Sequence, residues 1–355
     1  MKTIAPQMLK TPSNTSSERG IYWRGSCALT LLIMILSLIL LGCKDDPVDT
    51  CPGLKTGSGS PYNSPIWHPM ATFIGFNHVP LTRIELSYNG QCLTYVNYVT
   101  KNDSDGFWLV DSNSNNMTRS FNHELSNPNW SSDGQWIAFD LRAQIFKVRF
   151  SAPLIDLTTI TQLTTQGSNF NPSWSPDDQW ILFDKSLADS SGLSGVWIMK
   201  PDGSNKQRLF GGAFPTWFPD GNSVLGVIGS SPTSIWTKFV RYYLSQNHVN
   251  DTISAIVGNM NLNPMISPDG NKIAFWSRSA SGVPQIWIMN VDGTNITQIT
   301  SEGVGERFSW SPDSHKLVYV SYRYNDWTYS NGVLWTKDLL TGVRKQLTFN
   351  PTGSE

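Results

Sequence analysis

Asn171–Phe183 reads NPSWSPDDQWILF, and the same grammar returns at Asn127–Phe139 (NPNWSSDGQWIAF), Phe214–Val227 (FPTWFPDGNSVLGV), Asn263–Phe275 (NPMISPDGNKIAF) and Phe308–Val320 (FSWSPDSHKLVYV). An upstream copy, Ser64–Phe76 (SPIWHPMATFIGF), keeps the outline but lacks the Asp-Gly turn. Each of the five is a short approach ending in an aromatic, or once in Ile266, then a tight Pro-Asp-Gly-type turn and an apolar strand. Asp and Gly suit such a turn because they tolerate positive φ. Trp67, Trp130, Trp174, Trp217, Ile266 and Trp310 mark the period, 63 residues for the first interval and 43 to 49 thereafter.

The second half of each unit is another hairpin, clearest in Val196–Leu209 (VWIMKPDGSNKQRL), Ile286–Ile299 (IWIMNVDGTNITQI) and Leu334–Leu347 (LWTKDLLTGVRKQL). Blade 1 keeps it at Phe107–Phe121, blade 2 stretches it from Phe146 to Thr164, and blade 4 is expected to form it from Phe239–Leu244 and Thr252–Val257. Four short strands per unit, repeated at this period, mark a β-propeller. Six copies predict an all-β, six-bladed ring of four-stranded antiparallel blades. No blade covers its own apolar faces, so each must stack on two neighbours. The repeat Trp residues are therefore predicted to pack between blades rather than to form a stacking site.

The consensus P-x-W-S-P-D-G-x-x-I-A-F followed by I-W-x-M-x-x-D-G-x-x-x-x-x-L-T resembles the TolB-type propeller repeat family over about Tyr62 to Thr348. Ile266 departs from it, as does the first turn, and the roughly sixty residues before blade 1 leave no room for the amino-terminal globular domain of TolB itself. The resemblance implies an extracytoplasmic binding protein that recognises a protein segment or peptide at the mouth of the channel.

Residues 1–42 read as a lipoprotein signal peptide. Lys2, Lys10, Arg19 and Arg24 precede the apolar run Ala28–Leu41, and Leu40-Leu41-Gly42-Cys43 resembles a bacterial lipobox with Cys43 as the lipidated residue. The alternative is an uncleaved anchor, since Gly25–Cys43 carries no charge over 19 residues. The leader is long, so a start at Met8 is also consistent. Lys44-Asp45-Asp46 resembles the export signals of surface lipoproteins of the Bacteroidetes type, which implies an outer-membrane location, facing the periplasm or the cell surface. Residues 43–61 form a linker, 62–349 the propeller and 350–355 a tail.

Beyond residue 42 the chain carries 22 Lys plus Arg against 26 Asp plus Glu, a balance that gives no basic surface for nucleic acid. Cys51 and Cys92 are an even pair expected to bond in an oxidising compartment. No Gly-x-Ser-x-Gly elbow occurs, and His68, His78, His123, His248 and His315 include no His-x-x-x-His pair. Asp133, Asp177, Asp220, Asp269 and Asp313 read as turn formers. Neither Asn102–Gly106 nor Asp111–Asn115 has the bidentate Glu of a calcium loop. These readings predict no catalytic residue, no metal and no cofactor.

The turn face of the ring is regular and polar, while the opposite face gathers irregular loops, where binding usually resides. Its predicted ligand-binding residues are Tyr62, Asn63, His123, Glu124, Asn169, Phe170, Phe214, Asn261, Glu306 and Arg307. They are joined by Tyr324 and Trp327 of the aromatic loop Ser321–Gly332, and the first-blade insertion Asn77–Gly106 overhangs the same face. The expected protein is a monomer, tethered to the membrane by lipid, binding an envelope protein or peptide. Glycan binding is the first alternative, and a metal-dependent polysaccharide-degrading enzyme the second.

Overall fold

The computed structural model describes residues 62–70, 72–78, 81–88, 91–98, 106–113, 116–187, 193–230, 235–245, 248–253, 261–278, 283–322 and 333–348. All of them belong to the contact unit Gly53–Glu355. The leader, Cys43, Cys51, Tyr324 and Trp327 lie outside the described residues, as do the side chains of Tyr62 and Cys92. Among the described residues no helix is long and apolar enough to cross a membrane.

Six four-stranded antiparallel sheets follow one another along the chain, each a meander of spatially consecutive strands. The innermost strands are Tyr62–Trp67, Ser126–Trp130, Ser168–Trp174, Ala213–Trp217, Asn261–Ile266 and Gly303–Trp310. The fold is the expected six-bladed propeller. Two local expectations change. The first-blade insertion contains its own hairpin, Leu81–Tyr88 with Gln91–Tyr98, which pairs with no blade. In blade 4 the outer strands are Ile235–Tyr243 and His248–Ile253, with Phe239 opposite Ile253, so both strands begin earlier than the turn pattern implied.

The turn chemistry works as the sequence suggests. In blade 3 the Ser175 hydroxyl donates to Asp177 Oδ1 (2.6 Å) and accepts from the Trp180 amide (2.9 Å), while Asp177 Oδ1 also takes the Gln179 amide (3.1 Å). Ser131–Asp133, Ser267–Asp269 and Ser311–Asp313 repeat the arrangement. These bonds hold the Asp177, Asp269 and Asp313 carboxyls below the usual range. The residue reaching positive φ is Gly134, Asp178, Gly221, Gly270 or Ser314. In blade 1, His68 stands where blades 2, 3, 5 and 6 have Ser and blade 4 has Phe218; it donates from Nε2 to the Gly134 carbonyl (3.2 Å) and accepts the Met70 amide at Nδ1 (3.2 Å).

Trp130, Trp174, Trp217 and Trp310 are each buried among side chains of their own blade and the preceding one. Two of them also staple blades by hydrogen bonds, Trp217 Nε1 to the Ser173 carbonyl and Trp310 Nε1 to the Met265 carbonyl, both at 3.1 Å. Ile266 fills the equivalent space between blades 4 and 5 without a polar atom.

Among the described residues the ring closes without strand exchange, since the last strand of blade 6 is Arg344–Gln346 and the first strand of blade 1 is Tyr62–Trp67. Side chains make the seam. Ile74, Phe76 and Val110 of blade 1 pack with Val318, Val320, Leu334 and Leu347 of blade 6. Around that apolar patch, the Trp67 amide donates to Ser309 Oγ (3.1 Å) and Lys345 Nζ donates to the carbonyls of Ser112 (2.8 Å) and Asn113 (3.0 Å).

Candidate functional site

Five of the six innermost strands carry a left-handed residue immediately before a proline: Ser64, Asn127, Asn171, Phe214 and Asn263, with φ between 48° and 54°. The local cause is in the dipeptide. Proline supplies no N–H to the ladder and its ring disfavours the right-handed helical region for the residue before it. Asn tolerates left-handed geometry better than most residues. Strand pairing slips across each of these positions, so every inner strand is bulged where it passes the axis. Blade 6 is also bulged, between Val304 and Phe308, but has Arg307-Phe308 in place of the residue-proline pair.

These bulges bring six equivalent positions to one cavity of about 90 Å³, where Ser64, Asn127, Asn171, Phe214, Asn263 and Arg307 share the lining with the flanking prolines. Arg307 spans it. Its Nη2 donates to Asn171 Oδ1 at 2.6 Å, joining blade 6 to blade 3 on the opposite side of the ring. Asn171 passes the interaction on, donating from Nδ2 to Asp184 Oδ2 at 2.5 Å, and that oxygen also accepts the Phe214 amide of blade 4 at 3.0 Å.

Blade 2 repeats the motif. Asn127 Nδ2 donates to Asp140 Oδ1 at 2.6 Å, and the same oxygen accepts the Asn171 amide of blade 3 at 3.2 Å. Each aspartate thus ties its own bulge to the next. Burial pushes the Asp184 carboxyl up to about 7 against the opposing pull of its two hydrogen bonds and of Arg307. Asp140 is raised for the same reason, with Asn127, Ser126, the Asn171 amide and Arg307 pulling the other way. In blade 1 the corresponding residue is Asn77, which donates to Asn63 Oδ1 (3.0 Å) and the Leu125 carbonyl (2.7 Å) and accepts the Leu125 amide (2.9 Å). Blades 4 to 6 place Ile228, Trp276 and Val320 there, so the polar support beneath the channel belongs to one half of the ring.

Of the predicted binding residues, Phe214, Glu306 and Arg307 line the cavity. Asn63, Asn169, Phe170, His123, Glu124 and Asn261 do not. Asn169 is buried, donating to Gln144 Oε1 (3.1 Å) and the Gln166 carbonyl (2.9 Å), and Asn261 is fully buried. His123 and Glu124 are exposed on the loop leading to blade 2. Spacing placed all of these near the axis, but only the bulge residue and its neighbours turn toward it. Asp140 and Asp184 were missed altogether, although a charge directly after the apolar I-A-F or I-L-F run was a readable sign of a buried polar contact. Among the described residues, no three His, Cys, Asp or Glu side chains converge as metal ligands would.

No established family profile matches the chain. It is 26% identical over 202 residues to an uncharacterised protein of Agrobacterium fabrum, a match that covers 55% of this chain and 65% of that relative. In structure it is similar to a putative TolB from Agrobacterium tumefaciens, with a TM-score of 0.54 and 20% identity over 67% of this chain and 85% of the other. TolB from Acinetobacter baumannii also gives a TM-score of 0.54, with 17% identity over 80% of this chain and 79% of the other. At these identities the likeness is one of fold.

Proposed function

We propose that this protein is an envelope-located, lipid-anchored propeller that binds a peptide segment of a partner protein in its central channel. The anchor reading rests on Leu40-Leu41-Gly42-Cys43 and the apolar run before it. The binding reading rests on one observation, a channel lined by amides, prolines and Phe214 and spanned by a single guanidinium hydrogen-bonded to an amide. Such a wall offers alternating donors and acceptors with apolar contacts between them, which suits a polypeptide backbone. The likeness to TolB propellers agrees with a binding role. Glycan recognition would call for flat aromatic faces; in this cavity Phe308 is buried and Phe214 packs between the cores of blades 4 and 5 and of blades 5 and 6.

A photo-crosslinking amino acid placed at Ser64, in the channel, and at Leu340, on the exposed outer rim, tests this in envelope preparations of the full chain. Protein adducts are expected from position 64 and not from 340. Equal labelling from both sites, or adducts at 64 that are carbohydrate, would overturn the reading. For the anchor, Cys43→Ser is expected to release the protein from the membrane fraction.

A further inference from the structure

Among the described residues, the hairpin in the first-blade insertion stands apart from all six blades. Leu81–Tyr88 and Gln91–Tyr98 pair in unbroken register over eight residue pairs, and no further strand is paired with either of them. A two-stranded ribbon is marginal by itself in water, and a long edge without proline or bulge is a template for another strand. The register settles which residues offer their backbone there. Tyr88 and Gln91 close a two-residue connection and therefore form a hydrogen-bonded pair. Alternation makes Leu86–Leu93, Ile84–Tyr95 and Thr82–Asn97 hydrogen-bonded pairs as well, which turns the backbone N–H and C=O of Leu81, Arg83, Glu85 and Ser87 outward along the Leu81–Tyr88 edge. Arg83 and Glu85 are the only charged residues in Leu81–Tyr98; they lie two apart, on one face of the ribbon, and both belong to that edge.

We propose that the Leu81–Tyr88 edge pairs antiparallel with the same edge of a second copy of this chain, joining two ribbons into one sheet and giving a two-fold dimer in place of the monomer expected from the sequence. Residues whose backbone points outward must meet others that do the same, so the two-fold axis passes through a single residue. With the axis at Ile84, Arg83 of each copy stands opposite Glu85 of the other, and Leu81 opposite Ser87. Ile84 then meets Ile84, and Thr82 meets Leu86, in the closer pairs without hydrogen bonds. Moving the axis to Arg83 or to Glu85 sets two like charges directly opposite, which is unfavourable. Charge therefore selects one register against its neighbours, and it does so for a reversed copy of the same strand. The Gln91–Tyr98 edge has no charge with which to choose.

Sedimentation velocity of the full chain in detergent micelles, over a concentration series, reads the assembly. The wild type is expected to dimerise. Arg83→Glu and Glu85→Arg, each alone, put like charges in both cross-strand pairs and should weaken the dimer by about tenfold or more. An equimolar mixture of the two variants should recover it, because every charge then faces its opposite, and so should the double exchange in one chain. Under oxidation, Ile84→Cys should link two copies, since residue 84 meets itself with Cα atoms about 4.5 Å apart, whereas Leu86→Cys, opposite Thr82, should not. Recovery in the mixture separates loss of pairing from loss of fold. A monomer across the whole series, a dimer indifferent to both charge changes, or a mixture that stays apart would overturn the proposal. If the Ile84→Cys protein, oxidised in envelope preparations, links to a different protein and not to itself, the edge serves a foreign strand and the proposal falls.

Discussion

Asp184 is held far from its ordinary value by burial. With a folded pKa near 7, above its value in the unfolded chain, the native state holds the proton more tightly, so this group's contribution to stability is fully present below about pH 4 and is lost as pH rises through 7. Asp184→Asn removes that dependence. The melting temperature of the wild type relative to this variant is expected to fall between pH 5 and pH 8, and a constant difference across the range would contradict the assignment. Asp184→Ala should be harmful at every pH, by roughly 3 kcal/mol in urea unfolding, because Asn171 Nδ2 and the Phe214 amide lose their common acceptor in a buried place. Little of this was legible beforehand. The Asn-Pro dipeptides marked where the strands bend, but the carboxylate lies 13 residues from its amide partner and 30 from its backbone donor.

At the level of the strand, the pre-proline bulge is the device that turns five of the six inner strands toward one axis. Its requirement is conformational, so it can be tested apart from any ligand. Ser64, at φ 50°, is expected to accept Gly with little change, whereas Ser64→Val should cost about 1–2 kcal/mol, since a β-branched residue is poorly suited to left-handed geometry. Equal urea midpoints for the two variants would show that the bulge relaxes. The turns carry a parallel expectation. Ser175→Ala removes both the hydroxyl donor to Asp177 and the acceptor for the Trp180 amide, and should lower stability by about 1 kcal/mol. These elements were readable in advance because each depends on neighbours in the chain. The hairpin inside the first-blade insertion was not, since its strands follow no repeat and the stretch reads only as a long interruption.

For the molecule as a whole, the seam between blades 6 and 1 decides whether there is a ring. Among the described residues no strand crosses it, and the seam is made by the apolar cluster around Leu347 and a few hydrogen bonds. Leu347→Ala, at a position 1% exposed, should cost about 2–5 kcal/mol and lower the unfolding midpoint of the entire propeller in one transition. A separate early transition confined to blade 6 would mean the blades are energetically independent. The seam was invisible in the sequence for a plain reason: its partners lie at opposite ends of the repeat array, Lys345 being 233 residues from Ser112.

Short-range chemistry, written six times over, was enough to specify the blades, their turns, the packing role of the tryptophans and the polar character of the inner strands. Closing the circle did what no local rule can. It set Arg307 against Asn171 across 136 residues and placed Asp184 behind that contact. A repeat dictates how each unit folds because its hydrogen bonds and apolar contacts fall within the unit or on its neighbour. Which side chains meet at the axis depends on all six curvatures acting together, and that is a property of the ring.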